Sequence, residues 1–384
     1  MTTIFDLRGK GLKLETEDDF NKLVTDLDPT IIEEIHLGGN TIGVGAAKAL
    51  AAFLTKADKL KIADFADIFT SRLIDEIPVA LSAMCDALID KTSLVEIDLS
   101  DNAFGARSAV PMVPFLTKNR SFSILKLNNN GLGPAGGAVI ASALLESARL
   151  SEKEGKKSNL KTIICGRNRL EDGSALTWAE AFAAHGTLED VRMPQNGIRQ
   201  DGIIALAKGL SKNPALERLD LQDNAFNVDD SDEGSRAMAN ALPLWPGLQQ
   251  LDFSDCVIAS EDDHTPPAII DALAAGSNPK LHTLQLQNNN IGAESFAMLA
   301  ESLPQRMPLL KRLELQWNDI DEDDEALNTM TDLLKARGGK LFIDDEEDTE
   351  EEELSSEEPE KEAEQEETDE LAAMMNKVNI NAGP

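Results

Sequence analysis

The chain predicts an α/β solenoid, a horseshoe with parallel strands on its concave face and helices on its convex face. Three observations carry this. One phrase, apolar-x-x-apolar-x-apolar-x-x-Asn-x-apolar, recurs ten times between Ile32 and Ile320, twice imperfectly. Its Asn returns every 28 residues or slightly more. Ala-rich stretches of helical periodicity fill the intervals. This period is that of a leucine-rich repeat, in which each unit is one strand plus one helix and no unit buries its apolar side alone. The stack is therefore one domain despite its length.

The elements follow in order. Phe5-Asp6-Leu7 and Leu12-Lys13-Leu14 predict an N-terminal cap over about residues 1–28. The ladder residues are Asn40, Asn102, Asn130, Asn168, Asn196, Asn224, Asn289 and Asn318, with Cys256 in the same slot of its repeat. The gap from Asn40 to Asn102 holds two repeats, and the second has Ile68 where the Asn belongs. In each phrase the apolar-x-apolar core, such as Leu219-Asp220-Leu221, alternates as a strand does. The Asn satisfies turn backbone groups that burial would otherwise leave without partners. Helical returns are read at Val44–Leu54, Gly137–Ala148, Asp201–Leu210 and Ser295–Leu303. Leu341-Phe342-Ile343 reads as the last strand, so the repeat domain is expected to span 1–343.

Composition sharpens the picture. The chain has 36 basic against 69 acidic residues and a net charge of −33. From Asp344 to Glu370 there are 18 acids and one base, Lys361. Such a run of like charge cannot collapse, so 344–370 is expected to be a disordered acidic tail, followed by a short segment 371–384. The tail reads either as a solubilising appendage or as a docking site for a basic partner. Both regions repel phosphate, so nucleic acid is disfavoured as a direct partner. Cys85, Cys165 and Cys256 lie in separate repeats without a CxxC spacing and read as reduced, buried residues of a cytosolic protein. Without a signal peptide, transit peptide or apolar run of membrane length, a cytoplasmic location off the membrane is expected.

Little in the sequence points to chemistry of its own. His36, His185, His264 and His282 are scattered through the repeats, and Asn318 to Asp324 lacks the glycine and ligand spacing of a calcium loop, so no metal is expected. Gly131-Leu132-Gly133-Pro134-Ala135-Gly136 fits a dinucleotide fingerprint. The same turn recurs in other repeats as GNTIG, DNAFG and QNGIR, which favours a repeat turn over a cofactor site. No P-loop is present, so neither GTP nor ATP should bind that way. The departure from the pattern is the second repeat, where ADFADIFTSRLIDEIP sets Asp64, Asp67, Arg72, Asp75 and Glu76 among apolar positions. Arg72 reads as a salt-bridged loop residue or as a guanidinium offered to a carboxylate or phosphate.

These strings together, ADIFTSRLIDEIP, LSDNAFG, LNNNGLGP, ICGRNRLEDGS, MPQNGI and LQDNAF, resemble the GTPase-activating proteins of the small GTPase Ran, in the short fungal-type form with an acidic tail. The resemblance runs from about residue 5 to the tail and includes loop residues that the repeat consensus does not demand. The family reads FTGR near Arg72 where this chain has Ser71, and commonly has a base where Ile74 stands. The resemblance implies a ribonuclease-inhibitor-like horseshoe that binds Ran-GTP, with a Ran-binding protein as a further candidate partner, and speeds hydrolysis in support of nucleocytoplasmic transport. It implies a monomer without a cofactor and without a nucleotide site. The catalytic position is Asn129, one before the ladder Asn130, whose amide would hold the catalytic Gln of Ran; Arg72 would support the interface. Asp67, Asp101, Asn128, Arg167, Arg169, Gln195 and Asp223 are the remaining partner-binding candidates. Two other readings of such a repeat protein are a stoichiometric inhibitor and an acidic histone-binding chaperone.

Overall fold

The computed structural model describes residues 2–229, 231–259, 265–319 and 324–344. The acidic tail and the segment 371–384 lie outside the described residues, apart from Asp344. Among the described residues, twelve short strands form one parallel sheet in chain order, and a separate two-stranded pair lies near the N-terminus. Register is uniform: Leu125 of the strand Ile124–Lys126 lies between Ile97 and Ile163 of its neighbours. In the central strands, such as Ile124–Lys126, Asp190–Arg192 and Arg218–Asp220, the middle residue is buried and its flanks are partly exposed, as alternation requires. The chain then returns through a helix on the other face, as in Val44–Lys56, Ile77–Leu88, Glu171–His185 and Gln200–Leu210. Strands stack about 4.8 Å apart and packed helices about 8–10 Å, so the stack curves with its strands inside.

The irregular spacings have local causes. The 38 residues between Asn130 and Asn168 accommodate Gly133–Lys153, a helix of 21 residues. The N-terminal cap packs Phe5, Phe20 and Phe53 edge-on, and Thr16 closes the helix Glu17–Val24 with a capping box. The three cysteines are buried, and desolvation pushes the Cys165 thiol up to about 12, so none is a ready nucleophile. Among the described residues no helix is long and apolar enough to cross a membrane.

The ladder asparagines do more than close their own turns. Asn168 Nδ2 donates to the Leu127 and Gly166 carbonyls, while its Oδ1 accepts from Asn130 N at 3.1 Å. Asn102 N in turn donates to Asn130, Asn168 N to Asn196, and Asn196 N to Asn224. Each amide thus spans two repeats, a link the turn-capping role alone does not require. Ile68 and Cys256 fill their slots buried but carry no amide. Ile68 N still donates to Asn102 and Cys256 N to Asn289. The side-chain chain is interrupted on the N-terminal side of each.

Candidate functional site: one edge of the stack

The residue just before each ladder position has a left-handed backbone: Asp67, Asp101, Asn129, Arg167, Gln195, Asp223, Asp255, Asn288 and Trp317, with φ between 45° and 60°, and Gly39 at 75°. The conformation turns the chain out of the strand, so these side chains form a row along one edge, roughly 4.8 Å from one repeat to the next. Main-chain bonds continue the sheet through it, from Asp101 N to Asn128 O and from Asn129 N to Gly166 O. Six of the sequence-derived candidates fall on this row. A left-handed backbone costs a side chain other than glycine about 1 kcal/mol, less for Asn and Asp. The arginine, glutamine and tryptophan have no such local compensation.

Asn129 is exposed while Asn130 beside it is fully buried in the ladder. Its Nδ2 donates to Asp101 Oδ1 at 2.9 Å, which orients the amide and leaves Oδ1 outward. Asn128 is turned inward instead: its Oδ1 accepts from Gly166 N at 2.7 Å and its own N donates to Ser100 Oγ. Asp67 accepts from the Thr70 hydroxyl. Arg167, Arg169, Gln195 and Asp223 are exposed. Arg169 lies just past the ladder residue, with φ 54°.

Arg72 is not offered to solvent. Its side chain is 7% exposed. Nε donates to Thr41 Oγ1 at 2.8 Å, a terminal nitrogen to the Thr41 carbonyl at 3.1 Å, and the other to Glu15 at 2.6 Å. Gly43 makes room for this, because a Cβ there would meet both the guanidinium and the Glu15 carboxylate at 3.0 Å. Arg72 therefore ties its loop to the N-terminal cap and the first repeat. Ser71 has φ 66°, so it keeps the backbone shape that the family glycine gives at no cost. Ile74, where the family commonly has a base, is 58% exposed beside Leu73.

The roles of Glu15 and Thr41 were not legible in sequence, since they lie 57 and 31 residues from Arg72. The rest of the row was legible once the position before each ladder residue is counted: Asp255, Asn288 and Trp317 belong to it. Asn288 donates to Asp255 at 2.7 Å as Asn129 does to Asp101. The amide–carboxylate pair is thus a property of the row, and its surroundings distinguish the two copies.

On the adjoining strand face, carboxylates crowd. Asp220 and Asp252 are paired in register. Burial first, and then the Asp252 charge, push the Asp220 carboxyl up to about 6, against the pull of Gln222 N and nearby arginines. A carboxyl with a raised pKa holds its proton more tightly folded than unfolded, so stability rises as pH falls from above 6 towards 4. Ionised Asp220 destabilises the fold at neutral pH. Asp220→Asn should therefore raise the melting temperature at pH 7.5, by a gain of about 1–3 kcal/mol that fades near pH 4. Thermal melts at the two pH values check this.

A family model described as Leucine Rich repeat matches residues 118–141 and 277–300. Ran GTPase-activating protein 1 of Saccharomyces cerevisiae is 35% identical over 346 residues, covering 87% of this chain and 82% of that one. The Xenopus laevis protein of the same name is 45% identical over 195 residues, covering 50% of this chain but 34% of that one. The pig ribonuclease inhibitor is 25% identical over 289 residues, covering 67% of this chain and 59% of that one. The yeast match runs through most of both chains, and by it this chain belongs to the Ran GTPase-activating protein family.

Proposed function

We propose that this protein accelerates GTP hydrolysis on Ran by docking the GTP-bound form against the row and holding its catalytic Gln with Asn129. The observation that carries the reading is the exposed Asn129 amide, oriented by Asp101 and freed from the ladder by Asn130. A glutamine that orients the attacking water acts through geometry, and fixing its amide lowers the barrier without adding charge. Oδ1 of Asn129 is the free acceptor for such an amide. Arg72, moored to Thr41 and Glu15, shapes the loop beside the row rather than entering the nucleotide site. The partner contributes the nucleotide, the metal and the water, so this chain needs no nucleotide site. It works as a monomer in the cytoplasm, discharging transport complexes, and the segment beyond Ile343 is dispensable for activation.

A single-turnover assay tests this. Catalytic amounts of the full chain, or of a chain ending at Ile343, should accelerate hydrolysis by Ran-GTP by several orders of magnitude. Binding to Ran-GDP should be weak, and calorimetry should detect no GTP binding to the protein alone. Tight GTP binding, or an unaccelerated Ran, overturns the reading. An inhibitor or chaperone would leave the hydrolysis rate unchanged.

A further inference from the structure

The helix Gly133–Lys153 has 21 residues where the helix of the next repeat, Glu171–His185, has 15. The loop that follows it, from Glu154 to Lys161, leads into the strand Thr162–Ile164 and so lies at the edge opposite the row. Its middle is open. Lys156, Lys157 and Asn159 are exposed, and the main-chain amides of Lys157, Ser158 and Asn159 make no hydrogen bond among the described residues. Such an extended stretch with free amides is what an enzyme cleft can take up.

Ser158 is half-buried within it. Its Oγ accepts from Leu160 N at 3.1 Å and stands 2.6 Å from His185 Nδ1. A hydroxyl against an imidazole could suggest a nucleophile, but no carboxylate orients the ring. His185 is 7% exposed and its Nε2 makes no hydrogen bond among the described residues. Burial pushes the imidazole down to about 4, against a pull from the Leu144 carbonyl, so the ring is neutral.

Donors outnumber acceptors around this loop. Arg120 gives one terminal nitrogen to Glu154 at 2.5 Å and its carbonyl to Asn159, while Nη1 is buried without a partner among the described residues. Lys156 pairs with Glu154 at 2.9 Å. Lys157 meets no carboxylate among the described residues, in a chain of net charge −33. A serine preceded by two lysines, in surroundings short of acceptors, suits a group that brings negative charge and several acceptor oxygens.

We propose that Ser158 is a phosphorylation site for a serine kinase that selects bases just before its target, and that Lys157 and His185 hold the phosphoryl group. The kinase moves the γ-phosphoryl of ATP to Oγ. The new P–O bond forms, the bond to the β-phosphate breaks, ADP leaves, and the hydroxyl proton passes to the kinase's base. Beside Nδ1 the phosphoryl dianion draws a proton onto the imidazole, and the hydroxyl contact becomes an ion pair. His185 is the last residue of its helix, where the dipole also favours a cation. The loop is thereby fastened to the helix of the next repeat. Because the strand Thr162–Ile164 separates the loop from the row, modification acts on stability and leaves the Asn129 edge as it was.

The full chain is incubated with ATP and the catalytic domain of a serine kinase selective for bases at the two preceding positions, and the modified residue is mapped by mass spectrometry. A second preparation carries phosphoserine encoded at position 158. Incorporation should approach about one phosphoryl per native chain, persist in Ser158→Thr, and fall about 10-fold or more in Ser158→Ala and in Lys156→Glu/Lys157→Glu. Circular dichroism of each variant should match the parent. The phosphoserine chain should melt about 2–4 °C higher than the unmodified one, and His185 should titrate about one pH unit higher or more by NMR. His185→Gln should abolish the gain in melting temperature while leaving incorporation intact. Incorporation below about a tenth of a phosphoryl per chain, unchanged in Ser158→Ala, or seen only after unfolding overturns the site. Incorporation indifferent to Lys156→Glu/Lys157→Glu overturns the selection by bases. A phosphoserine chain that melts lower, or in which the His185 titration does not move, overturns the contact that holds the phosphoryl group.

Discussion

Asn129→Ala should lower the maximal activated rate by about 100-fold or more while complex formation with Ran bearing a non-hydrolysable GTP analogue stays within about threefold. The asymmetry follows from what the amide does. Its Nδ2 is held by Asp101 at 2.9 Å, so its Oδ1 is presented in one orientation. A fixed acceptor that steadies a partner amide gains most when that amide is aligned on the attacking water. A single neutral contact contributes little to ground-state docking across a whole edge. Asn129→Gly should behave like Ala without the left-handed strain, which separates loss of the amide from a shifted turn. Asp101→Ala should give a smaller drop, because the amide remains but swings free. Asn288→Ala is the matched control: the same contact to Asp255 is lost at the far end of the row, and the rate should hold. A wild-type maximal rate in Asn129→Ala overturns the mechanism, even with Ran as the partner.

The second large effect is expected at Arg72. Replacement by Ala removes three hydrogen-bonding contacts from a nearly buried guanidinium and strands the Thr41 carbonyl. Glu15 is 61% exposed, so its share of the ion pair is discounted for solvent, and the loss is about 2–4 kcal/mol, chiefly from Thr41. Melting should move down by a few degrees, and Ran binding should weaken together with the rate. For an exposed arginine, partial rescue by Arg72→Lys would mark an interface support and failed rescue a catalytic finger. The mooring removes that distinction. One ammonium cannot replace a fork that reaches the Thr41 hydroxyl, the Thr41 carbonyl and Glu15, so Lys should rescue poorly in either case. The informative pair is the melt and ground-state binding. A finger would leave both unchanged while the rate collapsed, and that result would overturn the mooring role.

The contrast between these residues shows what the sequence could reveal. The ladder Asn sits at a fixed place in a fixed period, so strands, returning helices and the outward edge at Asn129 follow from counting. The 38-residue interval and the Ile68 and Cys256 slots were visible in the same way. What counting could not reach were contacts between residues of unrelated register. Glu15 and Thr41 meet Arg72 because the N-terminal cap closes over the second repeat, and no periodicity encodes that closure. Nor does the pattern show that Asn128, one position before Asn129, is turned inward to Gly166 N and so differs from it. The difference is a single left-handed φ, at Asn129.

The two interruptions of the asparagine chain divide the stack mechanically. Between Ile68 and Asn224 every repeat is clamped to the next by a buried side-chain amide. At the first interruption Arg72 takes that part, reaching the Thr41 hydroxyl and carbonyl of the preceding repeat. At the second the Cys256 thiol donates to the Leu221 carbonyl at 3.2 Å, a weak bond in place of an amide. Compliance is therefore expected to concentrate at the second joint, leaving a stiff plate with an elastic arm beyond Asn224. Asn129 lies within the plate, so a protein surface of imperfect fit can be gripped by the arm without strain reaching the one amide proposed to set the rate.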